Sequence, residues 1–293
     1  DYAPAAQLAC TLLGQRALQI TNGFDAPPAS CPPYARVRPD SELGQRNAVR
    51  VEMVSSTIAC VAERYAGRRD VTLETILLHP GKVYECIPET DPYGPRDGGL
   101  WVGPLGQHQD TVDVPWPESW LRPRRVFAHM RTMPGAVELL DELRLTDAVT
   151  LCFWREAPDA VMEHFRSTNV RIVRQPLRLD RVLAEADAVV SYGSTALVCR
   201  ALLAGKPQLV LPTDFEKLKV AQRLAYSGAG ALWRTAEGSA RDAVGRLLNN
   251  PLLADIAQQL ARRYPPLLLQ AQRNRFARDL IGEVEPAALR GLD

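Results

Sequence analysis

The sequence predicts an α/β protein whose second half forms a doubly wound, parallel, Rossmann-like sheet. Two observations carry that prediction. Short apolar, β-rich runs alternate with amphipathic helical patterns from about residue 126 onward, an order that requires parallel strands covered on both faces by helices. The chain has 293 residues, 46% hydrophobic and 24% charged, which suits a soluble protein with enough core for two ordinary domains.

Taken in order, residues 3–13 read as a helix and 17–21 as a strand, followed by a proline-rich loop at 27–39 and a long helix at 42–65. This resembles the end of another α/β unit. The chain opens on Asp1 and enters a helical pattern at once, so an N-terminal portion is expected to be missing, through truncation or disorder. The Pro, Gly and Asp run at 88–104 has no periodicity and reads as an interdomain linker. Strands are expected at 126–130, 148–154, 170–173, 188–190, 208–211 and 229–233, with helices at 136–143, 160–165, 179–186, 196–204 and 218–227. Three further helices, 240–248, 252–263 and 267–284, are separated at Pro251 and at Pro265-Pro266, where proline starts a helix that it could not continue.

Charge excludes some partners. With 35 basic against 34 acidic residues there is no net field to draw nucleic acid or an anionic membrane. The local cluster Arg122, Arg124, Arg125 and Arg131 is interrupted by apolar residues and fits a strand boundary. No apolar run reaches the roughly 18 residues a bilayer span needs, and no secretory pattern opens the chain, so the default compartment is the cytoplasm. The six cysteines form no C-x-x-C pair, and Cys152 and Cys199 sit in apolar runs as small core residues. His79, His108, His129 and His164 lack metal-ligand spacing, and His129, in an alternating run, reads as a half-buried core histidine. No metal and no cofactor are expected.

Ligands of a doubly wound sheet bind outside the carboxyl ends of its strands, and phosphates favour helix N-termini. The strand ending at Ser191 runs into Tyr192-Gly193-Ser194-Thr195 and then a helix that closes at Gly205-Lys206-Pro207. Small residues there let a phosphate approach the backbone, and Ser194 or Thr195 adds hydroxyls; on the local pattern alone an ordinary N-capped helix, which every α/β protein contains, is the stronger reading. Arg131 and Thr132 follow the first strand of this half, at another carboxyl end, as crevice residues or as an exposed loop. Arg200 stands alone on an otherwise apolar helix and needs an acid, a carbonyl edge or an anionic ligand.

The longer run Ala-Asp-Ala-Val-Val-Ser-Tyr-Gly-Ser, nine residues, then Ala-Gly-Lys-Pro-Gln-Leu-Val-Leu-Pro-Thr-Asp-Phe-Glu-Lys, from Ala186 to Lys217, resembles the donor-site signature of GT-B nucleotide-sugar glycosyltransferases. Ala221-Gln-Arg-Leu with Ser227-Gly-Ala-Gly230 extends the similarity, and 88–96 with 101–104 resemble the linker of a bacterial branch of the UDP-glycosyltransferase-like enzymes. The resemblance covers about residues 85–284. It implies α/β GT-B architecture, two Rossmann-like domains with the N-terminal one incomplete. Residues 1–104 would be the remainder of the acceptor-side domain and linker, 105–268 the donor-binding domain, and 269–293 a helix bracing the acceptor side.

By that resemblance, Tyr192, Gly193, Ser194 and Thr195 face the diphosphate of a UDP- or dTDP-type donor and Glu216 bonds sugar hydroxyls, with Arg200, Lys217, Arg131 and Thr132 beside them. The implied activity is metal-independent, hexosyltransferase-like sugar transfer to a small-molecule or lipid-like acceptor. No Asp-x-Asp pair occurs. The chain departs from the pattern at Tyr192, where the family has histidine, at Ser194 (glycine), at Arg200 (glutamate) and at Lys217 (glutamine). These departures keep two alternatives open: a catalytically silent homologue that activates a partner transferase, and a nucleotide-sugar epimerase. The sequence assigns no general base and no oligomeric state.

Overall fold

The structure is a computed structural model that describes residues 3–28, 40–79, 81–96, 99–106, 111–118 and 123–288, excepting the side chains of Leu43 and 279–288. Asp1, Cys31, His108, Arg122 and most of the proline-rich loop, 29–39, lie outside the described residues. The chain divides into two compact units, Asp1–Val102 and Gly103–Asp293.

The first unit contains α1 (Pro4–Leu13), β1 (Leu18–Thr21), α2 (Glu42–Ala66), α3 (Leu73–Leu78), β2 (Gly81–Tyr84) and β3 (Leu100–Trp101). Its sheet is parallel, in the order β1-β2-β3. Proline in the first turn starts α1, the Ser41 hydroxyl caps α2 by accepting from Gly44 N–H, and Thr72 with Thr75 closes a capping box on α3. Ile58, Ala62, Val71 and Ile76 form its helical core.

Part of the expected linker proves to be structured. β3 lies inside it and pairs with β2, and Asp91 and Arg96 form a buried ion pair at 2.7 Å, with side chains 0% and 9% exposed. The Arg96 guanidinium also donates to the Gly23 and Ala26 carbonyls and lies 4.4 Å from the Tyr84 ring centre. A stretch rich in turn residues is thereby tied to the end of β1.

The second unit contains β4 (Arg124–His129), α4 (Ala136–Arg144), β5 (Ala148–Phe153), α5 (Asp159–His164), β6 (Val170–Val173), α6 (Leu179–Glu185) and β7 (Ala188–Ser191). α7 (Thr195–Leu203), β8 (Gln208–Val210), α8 (Phe215–Ser227), β9 (Gly230–Leu232), α9 (Ala240–Asn249), α10 (Pro251–Arg262) and α11 (Pro266–Ala288) follow. Every strand pairing is parallel, in the order β6-β5-β4-β7-β8-β9. β5 and β7 read as mainly apolar runs, interrupted by the buried Thr150 and ended by the buried Ser191, because both faces are covered. On one face Leu139, Leu140 and Leu143 of α4 pack with Val244 and Leu247 of α9; on the other Phe127, Leu151 and Val189 meet Val182 of α6 and Leu197 of α7. Each fully buried leucine contributes roughly 1.5–3 kcal/mol of burial free energy.

β4 begins two residues before the expected strand and takes Arg124 and Arg125 with it. Arg124 donates to the Leu248 carbonyl at 2.8 Å, and Arg125 pairs with Glu185 at 3.2 Å and lies over the Trp116 ring. Both arginines are committed to packing. Cys152 and Cys199 are buried free thiols, and burial raises the Cys152 thiol above its ordinary value. Among the described residues, no helix is long and apolar enough to cross a membrane.

Candidate functional site

Strand order reverses once in the large sheet, between β4 and β7, so the chain leaves these neighbours toward opposite faces and opens a crevice beyond their carboxyl ends. His129 and Ser191 are register partners there, and Tyr192 N–H continues the ladder to the His129 carbonyl at 3.2 Å. Three aromatic rings line up across these ends: His129 stacks on Phe153 at 4.8 Å between centroids and meets Tyr192 edge-on at 4.9 Å. The Arg131 guanidinium caps the row 5.0 Å from the Tyr192 ring centre. Thr132 turns away and accepts from Trp154 Nε1 at 3.4 Å.

Gly193 holds the turn into α7 at φ +94°, with its N–H on Ser191 Oγ. A β-carbon there would stand 2.9 Å from Val210 Cγ1 and 3.1 Å from Lys217 Cβ. Only glycine fits, because the first turn of α8 packs against this spot. Ser194 occupies the N-cap of α7 without a side-chain capping bond, and the Thr195 hydroxyl is buried with no hydrogen-bond partner. The start of α7 thus lacks the side-chain cap that closes α8 and α9.

At the start of α8 the Asp214 carboxylate accepts from Lys217 N–H at 3.0 Å and Glu216 pairs with Lys217 Nζ at 2.8 Å. Burial raises the Asp214 carboxyl, but the Lys217 N–H and charge, the Thr213 hydroxyl and the Glu216 N–H outweigh it and hold the group below the usual carboxylate range. Gly193 brings Lys217 to the Tyr192 turn, and Glu216 is linked to that turn through its ion pair with Lys217.

Arg200 lies one and a half turns into α7. It finds carbonyl edges: Nη2 donates to the Gly106 carbonyl and, at 3.5 Å, to that of Pro104. Arg273 of α11 donates to the same Pro104 carbonyl at 3.2 Å. Burial lowers the Arg200 guanidinium from its ordinary value, and the Arg273 charge adds to that shift.

A cavity of about 540 Å³ opens between α6 and α7 over the ends of β4 and β5. Phe127, His129 and Phe153 form its aromatic wall, and Arg178, Asp180 and Arg200 are its charged groups. Of the residues singled out in the sequence, Ser194 and Arg200 line this cavity. Tyr192, Gly193 and Arg131 sit beside it at the strand ends; Thr195 is buried in α7, Lys217 approaches through Gly193 and Glu216 through Lys217, and Thr132 is held at the end of β5. Phe127, Phe153, Arg178 and Asp180 were not singled out in the sequence, although Phe153 ends β5 and Arg178 and Asp180 open α6; His129, expected as a half-buried core histidine, is half-buried and completes the aromatic wall. Among the described residues no group of three metal-ligating side chains occurs.

No protein-family model and no curated protein matches the sequence. Solved structures do match the fold. The glycotransferase of kitacinnamycin superposes with a TM-score of 0.66 over 96% of this chain and 74% of that one, at 17% identity. CalG4, the calicheamicin glycosyltransferase, gives 0.67 over 95% and 70%, at 18% identity. The glycosyltransferase VinC, in complex with dTDP, gives 0.61 over 94% and 69%, at 17% identity. The chain therefore has the α/β fold of the GT-B glycosyltransferases. It spans about seven-tenths of the length of these structures.

Proposed function

We propose that the unit Gly103–Asp293 binds the nucleoside diphosphate of a UDP- or dTDP-sugar, and that the protein transfers the sugar to a small-molecule or lipid-like acceptor without a metal. The observation that supports this best is the coincidence of the β4/β7 reversal, the uncapped start of α7 and the adjoining cavity. A diphosphate at the start of α7 meets unpaired backbone N–H groups and the positive end of the helix dipole, which also offset the charge of a departing nucleoside diphosphate. The base then has the Phe153 and His129 rings beside it, and Glu216 is the carboxylate placed to accept sugar hydroxyls. VinC, solved with dTDP, supplies the precedent for the donor class, and SpnG, solved with spinosyn aglycone, that for the acceptor.

One observation favours a second reading, a catalytically silent homologue that activates a transferase: Glu216 is already paired with Lys217. Two measurements separate the readings. Titration calorimetry with UDP, dTDP and GDP is expected to show saturable binding, and its absence for all three sinks the donor-site proposal. NMR of a donor sugar incubated with the protein then distinguishes turnover from silent binding.

A further inference from the structure

Arg200 is an unusual occupant of the cavity wall. It projects from a helix whose other described residues are apolar or small, and among the described residues it makes no ion pair. Arg178, the other cation of the cavity, is paired with Asp113 at 3.3 Å. Nη2 of Arg200 is tethered to the Gly106 and Pro104 carbonyls, while Nε and Nη1 make no hydrogen bond to any described residue. Asp180 shares the cavity and its charge acts on Arg200 without forming an ion pair, so a guanidinium drawn partly out of water stays costly, and an anion held against it lowers that cost. Helical side chains lean toward the N-terminus of their helix, so Arg200 covers the turn between itself and Ser194. The family-like position that would carry positive charge at the strand end holds neutral Tyr192 in this chain.

We propose that Arg200, pre-set by its tether to the Gly106 and Pro104 carbonyls, is the cation that contacts the phosphates of a nucleoside diphosphate seated between Ser194 and the cavity. The charge that the Tyr192 position lacks is thus supplied from α7. This rests on the donor-site reading above and deepens it: selectivity for nucleoside diphosphate over nucleoside resides largely in one side chain. The tether fixes the guanidinium before the ligand arrives, so little side-chain freedom remains to be lost on binding.

The test is titration calorimetry of UDP against uridine, and dTDP against thymidine, with wild type, Arg200→Gln and Arg200→Lys. Glutamine keeps a donor for the Gly106 carbonyl and removes the charge; lysine keeps the charge and loses the fork. Arg200→Gln is expected to weaken both diphosphates roughly 10–100-fold and to change nucleoside affinity less than about twofold. Arg200→Lys falls between, and raising salt weakens wild type more than Arg200→Gln. Arg273→Ala, which shares the Pro104 carbonyl but does not line the cavity, leaves diphosphate affinity within about twofold. Equal loss of nucleoside and diphosphate in Arg200→Gln, no loss in it, or an equal loss in Arg273→Ala overturns the proposal while leaving the donor site standing. Wild type that binds neither diphosphate overturns the donor site itself.

Discussion

The Arg131 guanidinium and the Tyr192 ring meet at 5.0 Å across the one reversal of strand order in the large sheet. The contact joins the loops that follow β4 and β7, so the crevice is bounded by a cation resting on an aromatic face. An exposed pair of this kind is worth about 0.5–1 kcal/mol. Arg131→Ala is therefore expected to lower the melting temperature only slightly and to weaken nucleoside diphosphate binding about threefold, less than Arg200→Gln, because its charge rests on the Tyr192 ring beside the cavity and not in its wall. Tyr192→Phe keeps the ring under Arg131 and Tyr192→Leu removes it. Calorimetry should find the phenylalanine variant near wild type and the leucine variant near Arg131→Ala. Equal losses in both Tyr192 variants would assign the role to the hydroxyl instead.

Gly193 faces a harder constraint. Its φ of +94° lies where a side chain is strained, and a methyl group meets Val210 Cγ1 at 2.9 Å. Backbone strain and overpacking each cost about 1–3 kcal/mol. Gly193→Ala should lower the melting temperature by several degrees and push the start of α8, with Glu216 and Lys217, away from the turn. A Gly193→Ala variant that melts with wild type and binds UDP unchanged would contradict this packing.

The alternation of strands and helices made the second unit readable because each strand is covered on both faces and every crossover is short. Its elements stand within a few residues of the boundaries that the apolar periodicity marks. The Ala204-Gly205 pair was legible for a similar reason: Gly205 takes φ +68° where the turn after α7 packs on Gln258 of α10. The first unit was less legible. α3 has six residues, too few to show helical periodicity, and β2 and β3 have four and two, with Gly81 opening one and Gly99 preceding the other. The cavity wall was hidden for another reason. Phe127, His129 and Phe153 look like ordinary inward-facing strand residues, and only the strand order places the ends of β4 and β5 beside α6 and α7.

The Asp91–Arg96 pair carries a prediction for the first unit. Asp91 is fully buried, and Arg96 satisfies it through Nε at 3.0 Å and Nη2 at 2.7 Å. Removing one partner of a buried pair strands the other charge at about 3–5 kcal/mol. Arg96→Met should shift urea unfolding of this unit strongly, and Arg96→Met with Asp91→Leu should shift it less than the sum of the single changes. Strict additivity in that double-mutant cycle would show that the two side chains are not coupled.

Asp214 links helix capping to pH. Its carboxylate accepts from Lys217 N–H at the start of α8, where negative charge also opposes the positive end of the helix dipole. Asp214→Ala should cost about 1 kcal/mol, whereas Asp214→Asn keeps the capping oxygen and loses only the charge. The folded carboxyl is held below its ordinary value, so the unfolded chain binds the proton more readily. The stability gained from the charge is then fully present above the unfolded pKa, about 3.9, and is lost as pH falls through the lower folded value. The stability difference between wild type and Asp214→Asn, followed by thermal unfolding from pH 6 downward, should stay level and then shrink below about pH 4. Glu216 and Lys217 sit in the turn that this cap fixes, so Asp214→Ala should weaken binding of a nucleotide sugar more than binding of the bare diphosphate. Equal weakening of the two ligands would place the effect on the phosphates and take Glu216 out of the sugar site.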